Sequence, residues 1–127
     1  MKHILMTPAD YFGIKYEINA WMHEENQVDN AIARDQWQKL YDIYTKRLGW
    51  QVELAEPVEH LPDVVFATDC CLMLDGKILL SSFRHPERQP ESAHYEAWFR
   101  AHGYTELRQA KHYFEGGGDN LLCGDTI

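Results

Sequence analysis

From Asp29 onward the apolar residues fall at Ile32, Trp37, Leu40, Tyr41, Tyr44 and Leu48, the three-and-four spacing that turns one face of a helix toward a core. Asp29 suits the N-cap, and Gly49 stands where a helix C-cap is expected. Trp50-Gln51-Val52-Glu53-Leu54 then alternates with period two, which predicts a strand with one solvated face. Upstream, His3–Met6 and Tyr16–Ile18 read as short strands.

The same order returns further along. Cys71–Leu74 and Lys77–Ser81 predict two strands joined by Asp75-Gly76, a strong hairpin signal. A helix follows over about Pro90–His102, with Tyr95, Trp98 and Phe99 on its apolar side and Gly103 as its stop. Tyr104-Thr105-Glu106-Leu107 is then a strand. Leu48-Gly49-Trp50-Gln51-Val52-Glu53 and His102-Gly103-Tyr104-Thr105-Glu106-Leu107 share a helix end, a glycine, an aromatic and an exit strand. The repeating unit is therefore strand, strand, helix, strand. A first copy covers about residues 1–60 and a second about 61–112. A third begins at about 113, where Leu121–Ile127 parallels Leu72–Ile78. The repeat predicts that the pattern continues past Ile127 and leaves unpaired strand edges here.

A chain of 127 residues with 45% apolar and 13% aromatic residues can bury a core as a single truncated domain. Twenty acidic against twelve basic side chains give a net charge of −8, which disfavours nucleic-acid backbones and anionic membranes. No apolar run approaches the roughly 20 residues of a membrane span, and the apolar start is too short for a signal peptide. Cytoplasmic localisation is the default expectation. Cys70, Cys71 and Cys123 form neither a disulfide framework nor a zinc-ligand spacing, and read as small apolar strand residues. The seven histidines show no supported ligand pair, so neither a metal nor a cofactor is expected.

Chemistry concentrates in a few places. Phe114-Glu115-Gly116-Gly117-Gly118-Asp119 sets two carboxylates about three glycines, which permits close approach of the backbone to something small. Asp69 follows the apolar run Val64-Val65-Phe66 at the mouth of the second unit. Asp69 and Glu115, facing each other across a repeat-built funnel, suit a planar cation such as guanidinium; alternatively Asp69 caps a turn and Glu115 is a solvated loop residue. In Arg84-His85-Pro86-Glu87-Arg88-Gln89-Pro90-Glu91 the arginines suit an anionic group with Glu91 orienting one of them, or the segment is an exposed charged loop with an acid at a helix start. Asn19 is either a turn residue or a polar ligand contact.

Taken together these residues resemble the guanidine-modifying superfamily of penteins, which includes arginine deiminases, dimethylargininases, arginine dihydrolases and glycine amidinotransferases. The resemblance spans essentially the whole chain. It rests on Met6–Phe12 with Tyr16–Met22, on Pro62–Asp69, on Ser82–Glu91 and on Phe114–Asp119, and is nearest to the dimethylargininase and arginine dihydrolase-like branch. It implies an α/β propeller of five strand-strand-helix-strand units, of which this chain holds about two and a fraction. It implies that Asp69 binds the guanidinium nitrogens, that Phe66 packs on the guanidinium plane, and that Arg88 holds the substrate carboxylate. Asn19 would line the amino-acid end, Glu115 would orient the catalytic histidine and touch the guanidinium, and Asp119 would support the loop. The family mechanism is covalent, by a cysteine with a histidine; both lie downstream of the glutamate motif, and no residue of this chain matches either. The dihydrolase branch usually carries asparagine where Asp69 stands, which leans toward ordinary guanidine hydrolysis. The expectation is the N-terminal part of a guanidino-group hydrolase or amidinotransferase, inactive alone and self-associating or pairing with a C-terminal half. The alternative is a non-catalytic relic that binds a guanidino ligand or only oligomerises.

Overall fold

The computed structural model describes residues 2–123 and 126–127, and the chain divides into two compact units, Met1–Ala67 and Thr68–Ile127.

In the first unit, β1 (His3–Met6) pairs in parallel with β2 (Gln51–Leu54), His3 opposite Gln51 and Met6 opposite Leu54. Between them runs α1 (Asn30–Asp42). Its start follows from the N-cap: Asp29 Oδ1 accepts from the amides of Ala31 and Ile32 at 2.9 and 3.1 Å, satisfying two of the donors every helix start leaves open. A π-helical turn over Ile43–Arg47 continues it, and Gly49, at φ +63°, ends it. Trp50 then donates its amide to Tyr44 O at 2.9 Å while the two rings stack 5.1 Å apart. The buried residues of this unit are Met6, Thr7, Ala9, Ala55, Leu61, Pro62, Asp63 and Val64. None lies on α1.

The strand expected at Tyr16–Ile18 does not form. Its neighbourhood is held by turns and side chains instead. Phe12, Met22 and Asn26 close tight turns, Glu17 accepts from the Glu24 amide, and the Tyr16 hydroxyl donates to Asp63 Oδ2 at 2.9 Å. With its polar groups answered locally, the segment has no need of a ladder. The first unit is therefore strand, helix, strand, without the expected second strand.

In the second unit β3 (Cys71–Leu74) pairs antiparallel with β4 (Lys77–Leu80). Asp75 and Gly76 both take positive φ, +49° and +75°, as the two central residues of a type I′ turn require. α2 (Gln89–Ala101) crosses back to β5 (Leu107–Gln109), which pairs in parallel with β4, Ile78 opposite Leu107. The exit strand begins later than the expected Tyr104. Tyr104 belongs to the helix cap: its amide donates to Phe99 O at 3.1 Å and its ring meets Phe99 edge-on at 5.4 Å. Cys70, Ile78, Leu80, Phe83, Tyr95 and Phe99 are the buried apolar residues around which this unit is built.

Past Phe114, which bridges to Ser82, residues Gly116–Gly118 make one 3-10 turn. Of the hairpin expected over Leu121–Ile127, Cys123 and Thr126 form a single antiparallel bridge; its turn, Gly124-Asp125, lies outside the described residues.

Candidate functional site

The chemistry-bearing residues of the second unit gather around one guanidinium. Arg88, just before α2, is buried, its side chain only 7% exposed. Its Nε donates to Glu91 Oε1 at 2.8 Å and its Nη2 to Glu91 Oε2 at 2.9 Å, a two-point grip between residues three apart at the helix start. Its Nη1 donates to Asp69 Oδ2 at 3.0 Å, and its Cζ lies 4.5 Å from the centre of the Phe83 ring. Burial alone would lower the affinity of Arg88 for its proton; the carboxylates of Glu91 and then Asp69 outweigh that and hold the guanidinium charged.

Asp69 is the more open partner, its side chain 20% exposed. Burial pushes its carboxyl above the ordinary value, Arg88 pulls it back, and the charges of Glu115 and Asp119 add to the rise. Those two acids are thus close enough to be felt by Asp69. Glu115 Oε1 accepts from the Arg84 amide at 3.3 Å, and the Glu115 amide donates to Asp119 Oδ2 at 2.7 Å. Asn120 closes the same loop through its side-chain amide on Gly116 O.

The glycine run has a specific partner. A Cβ on Gly116, at φ +47°, would lie 2.6 Å from Thr68 O and 2.7 Å from Asp69 C, and one on Gly117 would collide with the Thr68 hydroxyl. The small thing that these glycines approach is the Thr68–Asp69 backbone. Ser81, fully buried, steadies the same point by donating its hydroxyl to Asp69 O.

The structure thus brings together Asp69, Arg88, Glu91, Glu115 and Asp119. Arg88, expected to meet a substrate carboxylate, is engaged by Glu91 and Asp69. Asn19 and Phe66 belong to the first unit. Asn19 is exposed and its Oδ1 accepts from the Trp21 amide at 2.9 Å, a local turn. Phe66 is partly exposed, its ring edge-on to Phe12 at 5.5 Å. Phe83, Ser81 and Thr68 were not singled out by the sequence. Phe83 carried a signal, lying beside the arginine loop directly after a strand; the other two carried none.

Among the described residues no group of three or more His, Cys, Asp or Glu side chains is arranged to hold a metal ion, and no helix is long and apolar enough to cross a membrane. A concavity of about 510 Å³ is lined by Lys77–Leu79 and Thr105–Arg108, none of them candidate residues. What the cluster offers is surplus negative charge, partly out of water, around a fixed arginine.

The elements define an α/β chain, and the comparisons say what it is similar to. No family model matches. The chain is 37% identical over 122 residues to the N(G),N(G)-dimethylarginine dimethylaminohydrolase of Mycobacterium tuberculosis, covering 96% of this chain and 40% of that protein. It is 38% identical over 122 residues to the bifunctional arginine dihydrolase/ornithine cyclodeaminase AgrE of Nostoc, covering 93% of this chain and 17% of that one. Among solved structures, the N-terminal domain of ArgZ, a cyanobacterial arginine dihydrolase bound to its product, matches with a TM-score of 0.81 at 36% identity, over 92% of this chain and 43% of that chain. A dimethylarginine dimethylaminohydrolase adduct with S-methyl-L-thiocitrulline matches in fold alone, with a TM-score of 0.72 at 23% identity. This chain spans less than half the length of these relatives. Its homologues are dimethylarginine dimethylaminohydrolases and the N-terminal domains of the arginine dihydrolases ArgZ and AgrE, proteins of the pentein superfamily, and it matches the N-terminal portion of them.

Proposed function

We propose that this chain is the N-terminal part of a guanidino-group-modifying enzyme and holds the cationic end of arginine or a substituted arginine. The observation that carries this is Asp69, a half-buried carboxylate beside Arg88 and within the field of Glu115 and Asp119, in a chain related to arginine-acting hydrolases. A guanidinium entering there neutralises surplus negative charge and can bond two acids in its plane. The Arg88–Asp69 pair then exchanges: Asp69 turns to the ligand guanidinium, and Arg88 offers the freed Nη1 edge to the ligand carboxylate while Glu91 keeps its grip. Glu115 takes the second acidic role and Asp119 braces its loop; Phe66 and Asn19 keep the roles the resemblance assigns.

The cysteine and histidine of the family reaction would come from the rest of a closed five-unit ring. A C-terminal half, in the same protein or another, is the proposed partner, in the cytoplasm. Calorimetry of the chain with L-arginine, beside an assay for arginine breakdown, tests this. Expected are binding that Asp69→Ala abolishes, and no turnover without the remaining part. Turnover by the chain alone overturns the partial-enzyme reading. Absence of binding at millimolar arginine favours the second reading, a module that only associates. One observation supports that reading too, the apolar face of α1 left open to solvent; sedimentation then expects oligomers that Ile32→Glu disperses.

A further inference from the structure

Consecutive side chains in a strand point to opposite faces, so adjacent cysteines in a strand keep their thiols apart. Cys70 and Cys71 escape that rule. Cys70 ends the 3-10 turn Ala67–Cys70 and Cys71 opens β3, and across this change of conformation the two sulfurs converge to 3.6 Å. Their surroundings differ. Cys70 is buried, 2% exposed, while Cys71 is partly open. The hydrogen bond from the Cys70 thiol draws the Cys71 thiol below its ordinary value, against burial. The same bond, then burial and the neighbouring charges, pushes Cys70 up. The thiolate is the nucleophile of such a pair.

We propose that Cys70 and Cys71 form a paired-thiol modification site, in which Cys71 reacts with hydrogen peroxide and Cys70 resolves the product to a vicinal disulfide. In the first step Cys71 Sγ attacks one peroxide oxygen. The S–O bond forms as O–O breaks, and the departing hydroxide takes a proton and leaves as water. The sulfur is oxidised by two electrons to a sulfenic acid, and the peroxide is reduced. In the second step Cys70 Sγ attacks the Cys71 sulfur. The S–S bond forms, S–O breaks, and the Cys70 proton leaves with the hydroxyl as a second water. Adjacent Cα atoms lie about 3.8 Å apart, below the roughly 4.4–6.8 Å that relaxed disulfides span. The bond formed is therefore strained and readily reduced, which makes the modification reversible. It stands whether or not the guanidinium reading holds.

The test uses the whole chain with exposed Cys123 replaced by serine. After treatment with hydrogen peroxide, intact mass should fall by two hydrogens, both remaining thiols should resist alkylation, and dithiothreitol should restore them. Adding Cys70→Ser should stop the reaction at a sulfenic acid on Cys71 that dimedone traps. Since serine in a buried position can unfold the chain, a second measurement leaves the pair intact. Limited iodoacetamide labelling with peptide mapping should modify Cys71 at least roughly tenfold faster than Cys70 in the folded chain, and this bias should vanish in concentrated urea. Equal labelling in the folded chain, thiols that survive peroxide, or disulfides formed only between chains would each overturn the proposal.

Discussion

α1 and α2 are the same length, thirteen residues, and each links a strand to a parallel partner, yet they are used differently. α2 buries Glu91, Tyr95 and Phe99, the last two at 0% and 1% exposure; α1 buries nothing, and Ile32 and Leu40 on its stripe are 55% and 42% exposed. The width of the sheet in each unit accounts for much of this. Strands lie about 4.8 Å apart and a helix with its side chains is about 10–12 Å across. The second unit has three strands for α2; the first has two for α1, because residues 16–18 form no strand. An amphipathic stripe states what a helix needs covered, and whether it is covered depends on how many strands share its unit.

The largest expected effect sets one stripe against the other. Phe99→Ala should cost about 3–5 kcal/mol, as for a buried aromatic, and Leu40→Ala less than about 1 kcal/mol, as for a surface change. Urea unfolding of the two variants measures this, and equal losses would break the comparison. Amide exchange should agree, with the α2 amides more protected than those of α1.

Ion pairs give the next contrast. Arg88→Met leaves Glu91, 1% exposed, without its two-point partner, and should cost about 3 kcal/mol. The double variant Arg88→Met/Glu91→Leu should recover more than half of that, because the stranded charge is gone. Lys39–Asp35 on α1, at 2.6 Å but 70% and 61% exposed, should shift stability by no more than about 0.5 kcal/mol when Lys39 becomes alanine. Urea midpoints of the three proteins decide; a Lys39→Ala loss as large as that of Arg88→Met would remove the distinction.

Much of this was legible in the sequence, and the parts that were not share a cause. The Asp29 cap, the Asp75-Gly76 turn and both helices rest on signals within a few residues of one another. The failed strand at Tyr16–Ile18 turns on a distant event, the Tyr16 hydroxyl reaching Asp63 forty-seven residues on. The late start of β5 turns on Tyr104 folding back onto Phe99. At the site, residue types were readable, and so was the local pairing of Glu91 with an arginine of its own loop; the long-range pairing was not. Arg88 looks free for a ligand in one dimension, and only the fold brings Asp69 to it from nineteen residues away. The glycine run was read as close approach to a small partner; that the partner is the Thr68–Asp69 backbone needed coordinates.

Two glycines separate backbone conformation from crowding. Gly49 in the first unit and Gly116 in the second both take left-handed φ, +63° and +47°, but a Cβ on Gly49 meets nothing within 4 Å. Alanine at either should cost about 1–2 kcal/mol for the backbone. Only Gly116→Ala should add about 1–3 kcal/mol for the clash with Thr68 and Asp69. Equal losses in thermal unfolding would mean that the Gly116 loop moves aside at little cost.

The smallest effect is a slope with pH, and it belongs to the second unit. Burial, with Glu115 and Asp119, keeps the native Asp69 carboxyl above its ordinary value despite Arg88. The fold therefore favours its protonated form. That contribution is fully present below the unfolded carboxylate range, near about 3.9, and is lost as pH rises through the native value. Asp69→Asn holds the position neutral at every pH, so its stability relative to wild type should rise as pH goes from the acid side to neutrality. The lost bond to Arg88 lowers the whole curve without giving it that slope. Urea midpoints at a series of pH values, followed by amide exchange in α2, read the difference. A difference independent of pH would mean that Arg88 cancels the burial of Asp69, and that no surplus of negative charge waits there for a cation.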